Sequence, residues 1–314
     1  MMNVLFLDTS NEILWQKFTN AGFKCYSNYT SGFPELKKDI GEADGIIIRS
    51  RLNINEEFLS YAPRLKFIGR VGAGMENIDT IAAEKKGIQC FNSPEGNRDA
   101  VGEHALGMLL CLLNKIRIAD AEVRKGYWRR EENRGLEIKE KTLGIIGYGN
   151  MGSAFAQRLK GFEANVIAYD KYKSNYSDDI VKESPLDALF EQADIVSLHV
   201  PLTSETQGMV NMHFLDKFKK EIYLINTARG KIVNSKDLVS AIKSGKVKGA
   251  ALDVLEYEKE SFESLLEQNR LPETYKYLTA SERVILTPHI AGWTIESGIK
   301  LSSILADKIL RVFS

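Results

Sequence analysis

Short runs of consecutive apolar residues alternate along this chain with segments whose apolar positions recur every three or four residues. In the first third the runs are NVLFLD (3–8), FKCYS (23–27), GIIIRS (45–50), LKFIGRV (65–71) and IQCFN (88–92). Unbroken apolar runs of this length read as strands buried on both faces; strict alternation would mark a sheet wet on one side. Between them lie EILWQKFTNAG (12–22), EEFLSYA (56–62) and TIAAEKKG (80–87), with apolar residues at helical spacing. The first and third end on Gly, which accepts the left-handed conformation that stops a helix. Strands and helices in alternation predict a parallel sheet covered on both faces.

A longer helical pattern begins near Asp99 and runs as one element through AVGEHALGMLLCLLNKIRIADAEVRKG. It is apolar on more than one face, which predicts burial against another domain or another subunit. After a polar loop, Trp128 to Glu137, a second series begins: TLGIIGYG, ANVIAYD, DIVSLHVP, IYLINTAR, GAALDVL and RVILTPH. An amphipathic helix at 295–312 closes the chain. SPEGN interrupts the pattern, so the boundary between units is expected at residues 97–100. The expected fold is α/β, with two doubly wound parallel-sheet domains and a cleft between them: residues 1–98 plus 290–314, and residues 99–289. A chain of 314 residues is long enough to bury two such cores.

Composition narrows the function by exclusion. Lys plus Arg and Asp plus Glu both total 42, so no overall charge favours nucleic acid or a membrane surface. Arg124, Lys125, Arg129 and Arg130 form a local basic cluster that reads as a solvated face or loop. Cys25, Cys90 and Cys111 are odd in number and lack metal-ligand spacing; they read as reduced core thiols, and no metal site is expected. The chain enters NVLFLD without a basic leader, and no apolar run is long enough to span a bilayer. A soluble, cytoplasmic protein is expected.

Within TLGIIGYGNMGSAFAQRL, Gly147, Gly149 and Gly152 form G-x-G-x-x-G between a strand and a helix. The first glycine permits the tight turn. The second lets backbone amides, with Asn150 and Met151 beside it, approach a pyrophosphate. The third lets helix and strand pack closely. The next strand ends in Asp170, placed to accept from the ribose hydroxyls of NAD and to repel a 2′-phosphate. Lys171 and Lys173 would soften that repulsion. NAD is therefore the expected cofactor, and its fold is the second unit.

Four more residues stand at the ends of second-unit strands, where an open α/β sheet presents its ligands. They are Arg229 in INTARG, Asp253 and Glu258 in ALDVLEYE, and His289 in TPHIAG. Each has an ordinary reading: a turn residue, a cap, one acid in an acidic run, a strand-ending histidine. Beside a nicotinamide cofactor the four make better sense together. The remaining histidines lack such company: His104 lies within a helix, His199 follows a strand before Pro201, and His213 starts a helical pattern.

In this order, G-x-G-x-x-G, N-x-A-R-G, A-L-D-V-x-x-x-E and P-H resemble the D-isomer-specific 2-hydroxyacid dehydrogenases. The resemblance extends over IIIRS, GRVGAGMENID, GIQCFNSPEGNRDAVGEHALGML, RKGYWRREE and PLTSETQGMVN, and is strongest to the phosphoglycerate dehydrogenase branch. It implies a flavodoxin-like substrate domain, a Rossmann NAD-binding domain, and hydride transfer between NAD(H) and a D-2-hydroxy acid or 2-keto acid. His289 would be the general acid and base. Glu258 would hold its far ring nitrogen and favour the imidazolium. Arg229 would grip the substrate carboxylate through its planar fork. Pro201, Thr227, Ala228, Asp253 and Gly292 complete the implied cofactor set. Ala73 and Gly74 match the family's carboxylate loop, with Ser50 and Asn97 also on the substrate side. Arg49 and Arg70 match phosphate-side positions, which favours 3-phosphoglycerate and 3-phosphohydroxypyruvate and a place in serine biosynthesis; Arg51 reads as solvated. Hydroxypyruvate, glyoxylate or D-lactate-type reduction is the alternative, and an NAD-dependent corepressor-like binding protein a more distant one. A homodimer through the helix starting near Ala100 is implied, hinges are expected near Asn97 and His289, and no regulatory extension is expected after Ser314.

Three departures stand out. Lys259 replaces the family's usual Pro after the catalytic Glu, and the connection to His289 is long, its extra residues reading as a short helix. Glu256 competes with Glu258 for the catalytic position, but Glu258 keeps the family offset from Asp253. Glu76 stands where the Gly-rich turn more often has Asp.

Overall fold

The computed structural model describes residues 1–258 and 271–314. They form two compact units, Met1–Arg98 with Trp293–Ser314, and Asp99–Gly292.

In the first unit β1 (Asn3–Phe6), α1 (Glu12–Asn20), β2 (Lys24–Ser27), α2 (Phe33–Glu42), β3 (Gly45–Ile48), α3 (Glu56–Ser60), β4 (Phe67–Arg70), α4 (Thr80–Lys85) and β5 (Gln89–Phe91) follow in sequence. The five strands are parallel in the order β2-β1-β3-β4-β5, the flavodoxin-like arrangement. All four residues of β3 are buried, as a central strand covered on both faces requires. One side buries Leu36, Ile40, Phe58 and Leu59 over Leu5, Ile46 and Ile68. The other buries Leu14 and Phe18 together with Leu301, Leu305 and Ile309 of the chain's last helix, Ile295–Phe313. Helix α2 escapes the sequence reading. Its fully buried side chains are only Leu36 and Ile40, one turn apart, with Phe33 partly buried beside them and Pro34 in the first turn where it costs no hydrogen bond.

The second unit runs through α5 (Arg98–Leu113), α6 (Ile116–Arg124), β6 (Thr142–Ile146), α7 (Asn150–Arg158), β7 (Asn165–Tyr169), β8 (Val181–Glu183), α8 (Leu186–Gln192), β9 (Ile195–Leu198), α9 (Met212–Asp216), β10 (Ile222–Asn226), α10 (Ser235–Ser244), β11 (Val247–Leu252), α11 (Glu273–Ala280) and β12 (Val284–Leu286). The helix returning to the first unit is α12. Seven parallel strands are ordered β12-β11-β10-β9-β6-β7-β8. Read from β8, this is the 3-2-1-4-5-6 order of a dinucleotide fold with a seventh strand added. Strand β8 is a three-residue edge with one fully buried side chain, Val181, too short to register as a pattern.

The single long helix expected from residue 99 is two helices. Lys115 adopts a left-handed conformation with φ of 53°. The loop after α6 returns to the break: Leu136 N–H donates to the Leu113 carbonyl at 3.1 Å and Lys115 Nζ to the Glu132 carbonyl. Nor does α5 need a foreign partner for its inner face. Ala105, Met108, Leu109 and Leu112 pack with Leu143, Ile145 and Phe155 of their own unit, and Gly102 lies against the Ala154 backbone. Of the long connection expected to hold a short helix, the described end is helical over Glu273–Ala280; Lys259 and the residues to 270, which carry most of the extra length, lie outside those described. Burial pushes the Cys25 and Cys90 thiols up to about 11, which keeps them protonated and unreactive. Among the described residues no helix is long and apolar enough to cross a membrane.

Candidate active site

Strand β6 delivers the chain into the glycine turn. Gly147 has φ of 91°, and a Cβ there would meet the His199 carbonyl oxygen at 2.6 Å; one on Gly152 would meet the Gly147 oxygen at 2.0 Å. Gly149, the N-cap of α7, has nothing within 4 Å of the same position. The loop is therefore packed from beneath and open above its second glycine, with Asn150 and Met151 half-buried in the first helical turn. Asp170 follows β7. Its carboxylate accepts from Tyr148 N at 2.7 Å, Tyr172 N at 2.9 Å and Lys173 N at 3.0 Å, which fixes its direction. The lysines beside it are engaged: Lys171 Nζ is 2.5 Å from Glu205 and Lys173 Nζ donates to the Tyr148 carbonyl at 3.1 Å. The Thr227 hydroxyl is buried without a hydrogen-bond partner among the described residues. An open cradle, an aimed carboxylate and an orphan hydroxyl on the same sheet fit a bound NAD. Of the other implied cofactor residues, Ala228 is buried, Pro201 exposed after β9, and Gly292 half-buried at the end of this unit.

Arg229 leaves β10 on a side-chain-built turn. Asn226, 1% exposed, accepts from Ala228 N at 3.0 Å and donates to the Arg229 carbonyl at 3.1 Å. The guanidinium donates to the Ala228 carbonyl at 2.7 Å.

His289 follows β12 with φ of 56°, an uncommon backbone for a non-glycine residue that costs on the order of 1 kcal/mol unless the surroundings impose it. Here Asp253 imposes it. His289 N donates to the Asp253 carbonyl at 2.8 Å, and the Asp253 carboxylate accepts from Ile290 N and Ala291 N, both at 2.9 Å. The ring's Nδ1 lies 3.0 Å from Glu258 Oε2, both side chains about three-quarters buried. Asp253 itself is 1% exposed. Among the described residues, the partners of its carboxylate lie in residues 287–291 or on His104, so it braces the histidine loop. Glu256 is occupied elsewhere, accepting from Ser235 N at 3.0 Å at the start of α10. Arg229, Glu258 and His289 thus all stand in the second unit, with Glu258 and His289 in direct contact.

The first unit carries the other candidates. Asp8 Oδ2 accepts from three successive amides, Arg49, Ser50 and Arg51, at 2.7, 3.0 and 3.2 Å. Arg51 is not solvated: its guanidinium donates to the carbonyls of Leu7, Ser31 and Asn28. Arg49 is half-buried, its guanidinium 4.2 Å from the Trp293 ring centroid in cation–π range. Arg70 Nε donates to the Arg49 carbonyl at 3.2 Å. Beside them lies a cavity of about 430 Å³ lined by Arg49, Val71, Trp293, Ile295 and Leu301 among others. Ala73 and Gly74 are half-buried, the Ala73 carbonyl accepting from Asn92 Nδ2 at 2.6 Å. The Asn97 side-chain oxygen is buried without a partner among the described residues.

Sequence reasoning passed over Asp8 and Asn226, short polar residues whose side chains cap backbone beside a motif, and Thr287, whose hydroxyl bonds the side chain of Asp253. It also set His104 aside, yet the His104 Nε2 lies 3.0 Å from the Thr287 hydroxyl and 3.6 Å from Asp253. Position within a helix gave no signal of that company.

Residues 106–291 match the sequence model of the D-isomer specific 2-hydroxyacid dehydrogenase NAD binding domain. Over 280 residues, 88% of this chain, the sequence is 38% identical to a D-3-phosphoglycerate dehydrogenase from Archaeoglobus fulgidus, of whose length the chain spans about half, 51%. It is 35% identical to a hydroxypyruvate reductase from Thermotoga maritima, with 88% of this chain and 87% of that one covered. Among solved structures, a D-lactate dehydrogenase from Aquifex aeolicus complexed with NAD and lactic acid superposes with a TM-score of 0.85 at 29% identity, covering 99% of this chain and 95% of that one. The match across the cofactor domain and the near full-length likeness to the Thermotoga protein together show that the chain belongs to the D-isomer specific 2-hydroxyacid dehydrogenase family.

Proposed function

We propose that the protein is an NAD-dependent oxidoreductase that interconverts a D-2-hydroxy acid and its 2-keto acid. The observation that carries this reading is the His289–Glu258 pair, 3.0 Å apart on a loop whose left-handed backbone is pinned by a buried carboxylate. Gly149, Asn150, Met151, Asp170, Thr227 and Ala228, with Pro201 and Gly292, are the residues that would hold NAD(H), which when bound supplies the hydride. Arg229 grips the substrate carboxylate by two parallel hydrogen bonds and polarises the adjacent carbonyl. As the carbonyl carbon gains the hydride its oxygen becomes an alkoxide, and His289 delivers a proton to that oxygen from Nε2. Glu258 keeps Nδ1 engaged, so the ring presents Nε2 alone to the substrate oxygen. In the oxidative direction the same nitrogen takes the proton back.

Arg49 and Arg70, joined through the Arg49 carbonyl, support a phosphorylated three-carbon acid as substrate, with the Ala73 and Gly74 amides, Ser50 and Asn97 as further substrate contacts. A second reading, an unphosphorylated acid such as hydroxypyruvate, glyoxylate or pyruvate, is favoured by the apolar wall of Val71, Trp293, Ile295 and Leu301 beside Arg49. NADH oxidation with 3-phosphohydroxypyruvate, hydroxypyruvate, glyoxylate and pyruvate separates them. The phosphate reading expects the highest kcat/KM for the first; no advantage over the other three sinks it. NADH binding without turnover of any keto acid would instead support a cofactor-dependent binding protein. A homodimer through the outer side of α5 and through α6 belongs to the same proposal, since Ile116 and Val123 on α6 and the nearby Trp128 are exposed.

A further inference from the structure

Asp253 has a second tenant besides the histidine loop. The Thr287 hydroxyl lies 2.6 Å from Asp253 Oδ1 and 3.0 Å from His104 Nε2, on α5 and 183 residues away in sequence. A hydroxyl has one proton to give. Asp253 already accepts two backbone N–H groups and as a carboxylate has no proton of its own, so the Thr287 proton goes to Asp253. The His104 Nε2 must then be the donor to Thr287. Met108 Sδ, 3.6 Å from the same hydroxyl, is a weak acceptor and does not compete with a carboxylate. Direction therefore runs one way along the chain, from His104 through Thr287 to Asp253. Asp253 then accepts the amides of Ile290 and Ala291 through its side chain and of His289 through its carbonyl. The His104 Nε2 also lies 3.6 Å from Asp253 Oδ1 itself.

We propose that His104 is a positioning residue for His289, its Nε2–H orienting the Thr287 hydroxyl onto Asp253 so that residues 289–291 keep the turn that presents the catalytic ring. Without that donor the hydroxyl is released to rotate, and one of the acceptors that fixes the loop loses its aligned partner. Networks of this kind act through geometry, and a small displacement of the acid weakens proton delivery more than it weakens cofactor binding. The inference rests on the reading of His289 as the general acid, and the test keeps the two apart.

The test is steady-state kinetics of the full chain with NADH and whichever keto acid turns over fastest in the panel above. His104→Phe keeps a ring and removes the donor, so kcat should fall roughly three- to tenfold, the range of one lost hydrogen bond, while KM for NADH stays within about twofold. His104→Gln places an amide N–H where Nε2 stood and should recover most of the loss. Thr287→Val breaks the chain from the other side, and the double variant should lose no more than Thr287→Val alone. Wild-type kcat in His104→Phe, a Gln variant no better than Phe, or multiplicative losses in the double variant would each overturn the proposal. The exposed His213, changed to Gln, serves as the control with unaltered kinetics. A collapse of turnover in His289→Asn alongside an unaffected His104→Phe leaves the reading of the dyad standing and removes only His104. Full turnover in His289→Asn removes both.

Discussion

Asparagine is among the few residues that tolerate the left-handed backbone His289 adopts, so His289→Asn removes the proton donor with little disturbance of the loop. Its turnover should drop by ~10²–10⁴-fold with NADH affinity nearly unchanged, read from kinetics beside a direct titration of NADH. Unchanged turnover would remove the residue from the chemistry. A different histidine governs stability. His199 is buried against Phe155, its Nε2 2.8 Å from the Ser197 hydroxyl, and burial pushes its pKa down from 6.5 to about 3. In the unfolded chain it takes up a proton near its ordinary value, whereas the folded chain refuses one until far lower pH. Stability is therefore whole above about 6.5 and is lost progressively as pH falls towards 3. Urea midpoints should decline between pH 7 and pH 5, and His199→Phe should flatten that decline; an equal slope in the variant would refute the assignment.

At the scale of elements, the glycine turn and the helix after it separate folding from binding. Gly149→Ala adds a methyl to open space, so the melting temperature should hold while KM for NADH rises several-fold. Gly152→Ala forces a methyl onto the Gly147 carbonyl, an overpacking that should destabilise by about 1–3 kcal/mol. Thermal melts with NADH titrations distinguish the two, and equal behaviour of both variants would contradict the packing described. Elements were legible in the sequence where burial wrote a pattern. Strands β1, β3, β4, β6 and β9 are continuous apolar runs because helices cover both their faces. Strand β8, with one fully buried side chain, and α2, with two, left no pattern to read. The break at Lys115 depends on Leu136 and Glu132 returning to α5, a contact that local periodicity does not record.

Across the whole molecule, the parallel sheets followed from strand–helix alternation, and the cofactor unit from one glycine motif and one acid. Roles that depend on residues far apart in sequence were hidden: Asp253 as the brace of the histidine loop, Arg51 as a tie between three carbonyls, His104 beside Thr287. Assembly is a property at this scale as well. Light scattering should give twice the chain's 35.3 kDa, and Ile116→Glu combined with Val123→Glu should shift the population to monomer; a monomeric wild type would contradict the proposed dimer.

The pairing of Trp293 with Arg49 turns one side chain into an optical gauge. The indole is 62% exposed and lies under a guanidinium, whose field shifts the energies of the indole's ground and excited states. An anion drawn to Arg49 cancels part of that field, so the emission of Trp293 should move on substrate addition even where no turnover is possible. The other two tryptophans are accountable: Trp15 sits on Phe6 with ring centroids 4.8 Å apart, and Trp128 is largely exposed. With both changed to Phe, the remaining signal would report the occupancy of Arg49 alone, in real time and without a label.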